Sequence, residues 1–282
     1  MIDTPKIQRE LQKSQHISGL KYAGRQDECM KAGISTLIAC GLWTATWGAQ
    51  AGWYVVSNYE GHIGPYPVHF SLQKYSIEQD KNLLGSYFYD KYRAPIPLYG
   101  RLSETSLEIC EIHTPQDYDK YIVQGVKSGI DMTHCPFKLT EVGEELRGEW
   151  SNGKARYDVS LRRVGSFDDS EQPARFEGQV DVPFWGQTAT HSFVGVYQNS
   201  DAGMVVEGIK AINKKSGNVD QLLQPDFQQC QFGFFMTPVY MNIENGEDNR
   251  SIMLNCYSHG GGDILLEYRF DEASQRYDVV SE

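Results

Sequence analysis

Cysteines are the residues whose chemistry constrains this chain of 282 residues most strongly. Two of the six lie early in the sequence, and four follow later: Cys110, Cys135, Cys230 and Cys256. An even number of cysteines in an exported chain predicts disulfide bonds, and four cysteines allow three pairings. The nearly equal separations favour local pairs, Cys110–Cys135 and Cys230–Cys256. A zinc site is the alternative, but there is no Cys-x-x-Cys pair and the spacings fit no usual zinc finger.

Histidines are the next candidates for a binding or metal site. His113 and His134 lie beside the first two of the later cysteines, whereas His62 and His69 flank a proline-containing stretch. If Cys110 and Cys135 are bonded, the first two histidines make at most half of a metal site. We therefore interpret them as surface histidines and predict neither a metal nor another cofactor.

Aromatic runs form a further candidate site. Tyr87-Phe88-Tyr89 and Phe232–Phe235 can line a ligand cup or fill a core, and a core is the favoured interpretation because such rings are usually buried. Tyr87 and Tyr89, together with His62 and His69, are the candidate binding residues.

Motifs for catalysis are missing from the sequence. It contains no G-x-S-x-G elbow, no H-E-x-x-H and no P-loop. HGGGD at His259–Asp263 resembles an esterase oxyanion loop, but only 19 residues follow it, without a nucleophile elbow. We interpret these glycines as a flexible hairpin connection and predict no catalytic residue.

Alternating segments rich in Tyr, Phe, Val and Ile predict that β-strands position these residues. Strand-like runs on either side of a turn signal predict three connections: Ala94-Pro95, Asn152-Gly153 and Asn245-Gly246. The last predicted hairpin pairs Ile264–Phe270 with Arg276–Val280.

The run Leu107–His113 predicts one strand with a mixed pattern. We expect Leu107, Ile109 and either Cys110 or Ile112 to face inward, with Glu108 and Glu111 outward.

Helical signals are few. Thr114–Gly129 predicts a short helix with Thr114 as its N-cap, Pro115 at its first position and acidic residues in its first turn. Val219–Gln224 predicts another, which Pro225 would end.

The fold class that follows is mainly β, an antiparallel barrel or sandwich with few short helices. The polar, acidic segment Val164–Arg175 separates two halves of roughly 115 residues each. We therefore predict two β domains, residues 52–165 and 166–282, with a single large β domain as the alternative.

The first half carries a family resemblance. GSYFYDKYRAPIPLYGRL, LEICE, LRGEW and RYDVSLRRV, between Gly85 and Val164, resemble a small lipocalin-like barrel of exported bacterial proteins. The resemblance implies a binding or inhibitory barrel and not an enzyme. The cysteine pair and the long segment Thr114–Thr133 depart from the family pattern, so no binding residue is transferred from it.

An apolar run, Met30–Ala51, predicts export. Lys31 supplies the positive charge, Gly33–Trp47 is uncharged, and Ala49-Gln50-Ala51 is typical of a signal peptidase site. Cleavage there leaves a mature chain that starts at Gly52, in the periplasm of a Gram-negative bacterium or secreted.

The amino-terminal segment supports three further interpretations. A lipobox-like sequence ends in Cys40 and offers a lipid anchor as the less favoured alternative. The run is also shorter than the roughly 20 apolar residues that a membrane span needs, so no span is predicted. Residues 1–29 are interpreted as a disordered upstream extension.

The charge balance indicates the type of partner. The whole chain carries a formal net charge of -11. Without residues 1–51, its 26 Lys and Arg become 20 and its 37 Asp and Glu become 33, a net charge of about -13. This acidity argues against nucleic acid, which requires surplus Lys and Arg, and suits a basic protein partner.

These observations predict an exported, non-enzymatic binding protein of inhibitor or immunity type. It would block a basic hydrolase or a secreted effector, with acidic residues steering the approach. The alternatives are a hydrolase on a β scaffold whose carboxylates meet only in three dimensions, and an envelope structural lipoprotein.

Overall fold

A computed structural model describes residues 54–75, 82–124, 132–169, 174–200, 203–225, 238–256 and 264–280. All of these residues belong to one compact unit of the chain. Several predictions lie outside this part: the signal peptide with Cys40, the extension before it, Cys230, Phe232–Phe235 and the HGGGD segment.

Antiparallel strands make up most of the described structure, which confirms the predicted mainly β class. The strands are β1 Tyr54–Ile63, β2 Tyr66–Tyr75, β3 Leu83–Tyr89, β4 Ile96–Ser103, β5 Ser106–Glu111, β6 Phe137–Val142, β7 Glu145–Ser151, β8 Arg156–Asp168, β9 Arg175–Gly178, β10 Val180–Gln187, β11 His191–Ser200, β12 Gly203–Asn213, β13 Val219–Leu223, β14 Ile243–Asn245, β15 Ser251–Cys256, β16 Ile264–Asp271 and β17 Arg276–Val279. A short helix, α1 (Pro115–Tyr118), leads into a π-helical turn over Asp119–Val123, and a 3₁₀ turn covers Val239–Asn242.

Strands β1 to β8 form a closed barrel. Each strand pairs with the next in the chain, and β1 also pairs with β8, so that Ile63 lies opposite both Tyr66 and Val159. Strand β9 extends the sheet by pairing with β8. The eight-stranded antiparallel barrel is consistent with the lipocalin-like architecture that the sequence resembles.

Large side chains fill the barrel interior. The buried cluster there includes Phe70, Tyr87 and Phe137, whose rings lie 4.6 to 5.6 Å apart, and each is at most 1% exposed. They alternate along their strands with residues that face outward, as the pleat requires. The middle of the barrel is therefore a packed core.

The remaining strands form two four-stranded sheets, β10–β13 and β14–β17. The side chain of Gln221 on β13 bonds both backbone groups of Tyr277 on β17, accepting at 2.7 Å and donating at 3.0 Å. At another edge, the Gln187 amide donates to Asn245 Oδ1 at 2.8 Å. Side chains thus join edges of the two sheets.

The barrel's outer surface also carries buried residues. Trp185 on β10 donates its indole N–H to the Gly85 carbonyl of the barrel at 2.9 Å. Ser71 Oγ lies 3.1 Å from Tyr240 Oη, and Gln73 Oε1 accepts from the Val239 amide at 3.0 Å. Both faces of β2 and β3 are therefore covered, one by the barrel core and one by the later sheets.

The side chains of strand β5 do not all face the way that the sequence predicted. Leu107 and Ile109 face the barrel core, as expected, and so does Glu111, which had been expected to face outward. Cys110 and Ile112 face the opposite way, into the apolar cluster outside the barrel. The outward face of this strand is buried as well. Apolar side chains therefore occur on both faces, and hydrophobicity alone could not show which face points into the barrel.

The predicted connections are confirmed at Ala94-Pro95, Asn152-Gly153 and Asn245-Gly246, as is the final hairpin. Thr114 caps α1, since its hydroxyl accepts from the Asp117 amide at 3.1 Å. The helix predicted at Val219–Gln224 is wrong. This stretch is β13, and pairing with β12 overrides its weak helical preference.

The predicted disulfide Cys110–Cys135 is present and ties β5 to the segment before β6. Cys256 ends β15, while its predicted partner lies outside the described residues, so that pairing stays a prediction. The proposed boundary between residues 165 and 166 falls within β8, and the division into two domains also stays a prediction. None of the helices described is long and apolar enough to cross a membrane.

Candidate functional site

Several strand ends meet at one end of the barrel and bring aromatic side chains together around a carboxylate. Strand β2 begins at Tyr66, β3 ends at Tyr89 and β5 ends at Glu111, while Trp150 and Tyr157 face each other across the β7–β8 hairpin. Antiparallel neighbours place these positions at the same end. We call Tyr66, Tyr89, Glu111, Trp150 and Tyr157 the barrel mouth.

The rings of the barrel mouth pack against one another. Tyr66 meets Tyr89 edge to face at 6.1 Å and Tyr157 edge to face at 5.9 Å. Trp150 stacks on Tyr157 with ring centroids 5.9 Å apart. Tyr66 is 49% exposed, so this rim of aromatic surface is open to a partner. Aromatic rings carry a negative face that attracts cations.

Glu111 lies beneath this rim with its side chain only 8% exposed. Its Oε1 accepts a short hydrogen bond from the Tyr87 hydroxyl and another, at 3.0 Å, from Trp150 Nε1. Its Oε2 lies 2.8 Å from Nε2 of His113, which is 63% exposed. Hydrogen bonds therefore hold the carboxylate in one orientation.

Tyr87 stays protonated as a donor to this carboxylate. Burial raises the pKa of Tyr87 well above its ordinary value, and the neighbouring charge of Glu111 raises it further. Burial also raises the pKa of Tyr89. Both hydroxyls are consequently neutral throughout the physiological range, so that any negative charge here belongs to Glu111.

The electrostatic arrangement suits a cation. Within the described part of the chain, no lysine or arginine pairs with Glu111. Tyr87 and Trp150 are neutral donors to it, and the exposed His113 is its third partner. A charged group with little solvent exposure is stabilised most by a partner of opposite charge. The mouth can therefore receive an ammonium or guanidinium group against its aromatic faces and near its carboxylate.

The four candidate binding residues do not form one site. Tyr87 is 1% exposed and belongs to the barrel core, while Tyr89 lies in the mouth. His62 is exposed on the outer face of β1. His69 faces outward on β2, where its Nδ1 lies 2.7 Å from Asp90 Oδ1 and its ring stacks on Phe88. Their binding roles stay predictions.

Sequence reasoning missed most of the barrel mouth. Tyr157 stood in a predicted strand and Tyr66 in a proline-containing stretch, both without a distinguishing motif. Glu111 was assigned to the wrong face of β5. The available signal was strict alternation from Leu107, which places Glu111 on the face of Leu107 and Ile109. In the described residues, no group of three or more His, Cys, Asp and Glu is placed to hold a metal ion.

Comparison of the chain with family models, with curated proteins and with solved structures gives no match. The proposals that follow therefore rest on the geometry and the charge of the molecule itself.

Proposed function

We propose that this chain is an exported, non-enzymatic binding protein of inhibitor or immunity type, and that it takes a basic protein as its partner. The observation that carries the proposal is the barrel mouth, where the Glu111 carboxylate lies beneath exposed aromatic surface without a lysine or arginine partner among the described residues. A lysine or arginine side chain of the partner enters the mouth and supplies a positive charge.

The packed barrel interior favours recognition at the mouth. Phe70, Tyr87 and Phe137 occupy the space in which a ligand-binding barrel would hold a small molecule. The acidic chain, with its net charge of -11, would accelerate the approach of a basic protein through long-range attraction. A partner such as a basic cell-wall hydrolase would then be blocked by the rim that surrounds its inserted side chain.

Export is the second part of the proposal. The Cys110–Cys135 disulfide is typical of proteins that mature in an oxidising compartment. We expect protein recovered from a Gram-negative periplasm to start at Gly52. Intact mass spectrometry measures this directly, and a chain that retains Met1 with free thiols would contradict export.

Calorimetric titration with a lysozyme-class basic hydrolase tests the partner. We expect a saturable complex whose affinity falls at least tenfold between 50 mM and 300 mM salt, because exposed charges are screened. Glu111→Gln keeps the size of the side chain and removes its charge. It should weaken the complex about tenfold or more.

Glu104→Gln is the matched control. It removes the same formal charge from an exposed position in the β4–β5 turn, at the opposite end of the barrel. This variant should change the affinity by less than about threefold. Equal losses in both variants would contradict insertion at the mouth, and an absence of any salt-sensitive complex would contradict the proposed function.

A further inference from the structure

A cleft lies outside the barrel, between its surface and the sheet β10–β13. Asn58, His69 and Phe88 from β1 to β3 form one wall, and Asp181 and Lys210 stand on the other. The volume of the cleft is about 500 Å³, which is within the range of sites for small molecules. This cleft is separate from the barrel mouth, since these wall residues face away from the barrel core.

An apolar contact spans the cleft. Phe88 from the barrel meets Val194 and Ile212 from the opposite sheet, and each of the three is 4 to 6% exposed. The contact joins the two walls of the cleft and is already buried. Val164 and Val219 also line the cleft and are 43% and 51% exposed, so a ligand can cover further apolar area.

Asn58 contributes a buried hydrogen-bond acceptor. Asn58 is 7% exposed, and its Nδ2 donates a short hydrogen bond to the Asp181 carbonyl oxygen. A carbonyl only accepts, so this bond fixes which end of the amide is the oxygen. That oxygen, Oδ1, is buried and has no hydrogen-bond partner. A buried acceptor without a partner destabilises a protein, and a ligand donor would remove that cost.

Arg93 contributes a cation. Its Nε is buried and likewise has no hydrogen-bond partner. In the part of the chain that the structure describes, no acidic residue forms an ion pair with Arg93. A guanidinium group in this position recognises a planar anion such as a carboxylate, because its N–H groups match the two oxygens.

The other charged residues of the cleft are already paired. Asp181 accepts from Lys210 Nζ and from Gln179 Nε2, both at 2.8 Å. His69 lies 2.7 Å from Asp90 and 3.2 Å from Glu60. The carboxylates of Glu60 and Asp181 would repel a ligand with two negative charges, which favours a monoanion over a phosphate.

We propose that the cleft binds a small apolar carboxylic acid that carries an amide N–H, the chemistry of an N-acylated amino acid. The carboxylate pairs with Arg93, the N–H donates to Asn58 Oδ1, and the apolar body covers Val164 and Val219. This site is independent of the partner proposed for the barrel mouth.

N-acetyl-L-phenylalanine is the probe, and titration of the full chain followed by calorimetry and NMR is the measurement. For a ligand of this size we expect saturable binding with a Kd below about 1 mM. N-acetyl-L-phenylalaninamide lacks the charge, and N-acetyl-N-methyl-L-phenylalanine lacks the N–H. Each should bind at least tenfold more weakly to the unaltered protein.

Arg93→Gln should lower the affinity for the probe tenfold or more. Arg101→Gln removes a cation from the outer face of β4 and should change the affinity for the probe by less than about twofold. A chemical-shift spectrum shows whether each variant is folded. If the Arg93 variant does not fold, the affinities of the unaltered protein for the three probes test the proposal. Absence of saturable binding at 10 mM, or equal binding of the neutral amide, would overturn the proposal.

Discussion

Two carboxyl groups with little access to water show how local partners decide the role of a side chain. Glu111 receives hydrogen bonds from Tyr87 and Trp150, which hold its carboxyl group in one orientation. Glu244, on β14, lies in a largely desolvated position. Burial raises the pKa of Glu244, and a hydrogen bond from Asn255 offsets only part of that shift. Donors hold the carboxyl group of Glu111 in place, whereas Glu244 destabilises the folded chain when it ionises.

Glu244→Gln should stabilise the protein at neutral pH. The unfolded chain ionises Glu244 near pH 4.5, while the folded chain ionises it only at a higher pH because its pKa is raised. The free energy of unfolding of the natural protein therefore falls as the pH rises through that interval. We expect the variant to be up to about 1 kcal/mol more stable at pH 7 and equal to the natural protein below pH 4.

Urea unfolding at both pH values measures this difference. Glu247→Gln is the control, because it removes a charge from an exposed neighbouring position. A stabilisation of Glu244→Gln that did not change with pH would show that its origin is not the ionisation of the carboxyl group.

The position of Glu111 shows what a sequence can and cannot establish for one residue. Alternation correctly placed Leu107 and Ile109 on one face of β5. It failed beyond Ile109 because Cys110 and Ile112 are buried too, on the opposite face. Where both faces of a strand are covered, hydrophobicity no longer distinguishes inside from outside.

Closure of the barrel depends on a close approach of strands β1 and β8. A Cβ atom on Gly61 would lie 2.0 Å from the carbonyl oxygen of Ser160 and 2.9 Å from Leu161 Cα. Both are backbone atoms, held by the ladder that closes the barrel. Only glycine fits there, so this residue sets how tightly the first and last barrel strands pack.

Gly61→Ala should therefore destabilise the protein by roughly 2 kcal/mol or more, as overpacking against fixed atoms does. Gly208→Ala on β12 is the matched control, because its Cβ would first meet the end of the exposed Leu222 side chain at 3.1 Å. That side chain can move, and the control should cost less than about 0.5 kcal/mol. Thermal unfolding of both variants compares their midpoint temperatures. Equal midpoints would contradict the close approach of β1 and β8 at Gly61.

Elements were predictable where local signals agreed. The turn at Asn152-Gly153 and the cap and proline at Thr114-Pro115 carry their structure in adjacent residues. Strand β13 was not predictable in this way, since Val219–Leu223 is mostly exposed and becomes a strand only through its pairing with β12. That pairing depends on the tertiary fold, and the sequence of the segment itself shows little strand-like pattern.

At the scale of the whole molecule, the barrel and the later sheets share a buried junction. Trp185 is 5% exposed, bonds the Gly85 carbonyl at 2.9 Å, stacks on Tyr240 and meets Tyr118 edge to face. Its indole thus contacts segments that are distant in the sequence. Shared burial of this kind couples the stabilities of the parts it joins.

Trp185→Phe should destabilise the whole molecule by roughly 2–3 kcal/mol, because it removes buried ring atoms and leaves the Gly85 carbonyl without its indole donor. We expect calorimetry to show one unfolding transition in both the natural protein and the variant, shifted to a lower temperature in the variant. Two separate transitions, only one of them shifted, would show that the barrel and the sheets unfold independently.

Both proposed sites combine residues that the sequence keeps far apart. The mouth joins Tyr66 to Tyr157, and the cleft joins Asn58 to Arg93 and Asp181. The sequence predicted the mainly β class and the first disulfide, but it contained no local pattern that indicates that these residues lie close together. Such sites depend on the register of distant strands, which the alternation of a single strand does not specify.

The Cys110–Cys135 disulfide also determines what a protease could achieve at this end of the barrel. The bond encloses α1 and the π-helical turn in a covalent ring that leaves β5 and re-enters just before β6. A cut at any peptide bond within that ring would leave the two fragments joined through sulfur, with β5 and β6 still paired on the same covalent molecule. The segment beside the mouth can thus be nicked without loss of any strand, and release of the fragments would require reduction as well as cleavage.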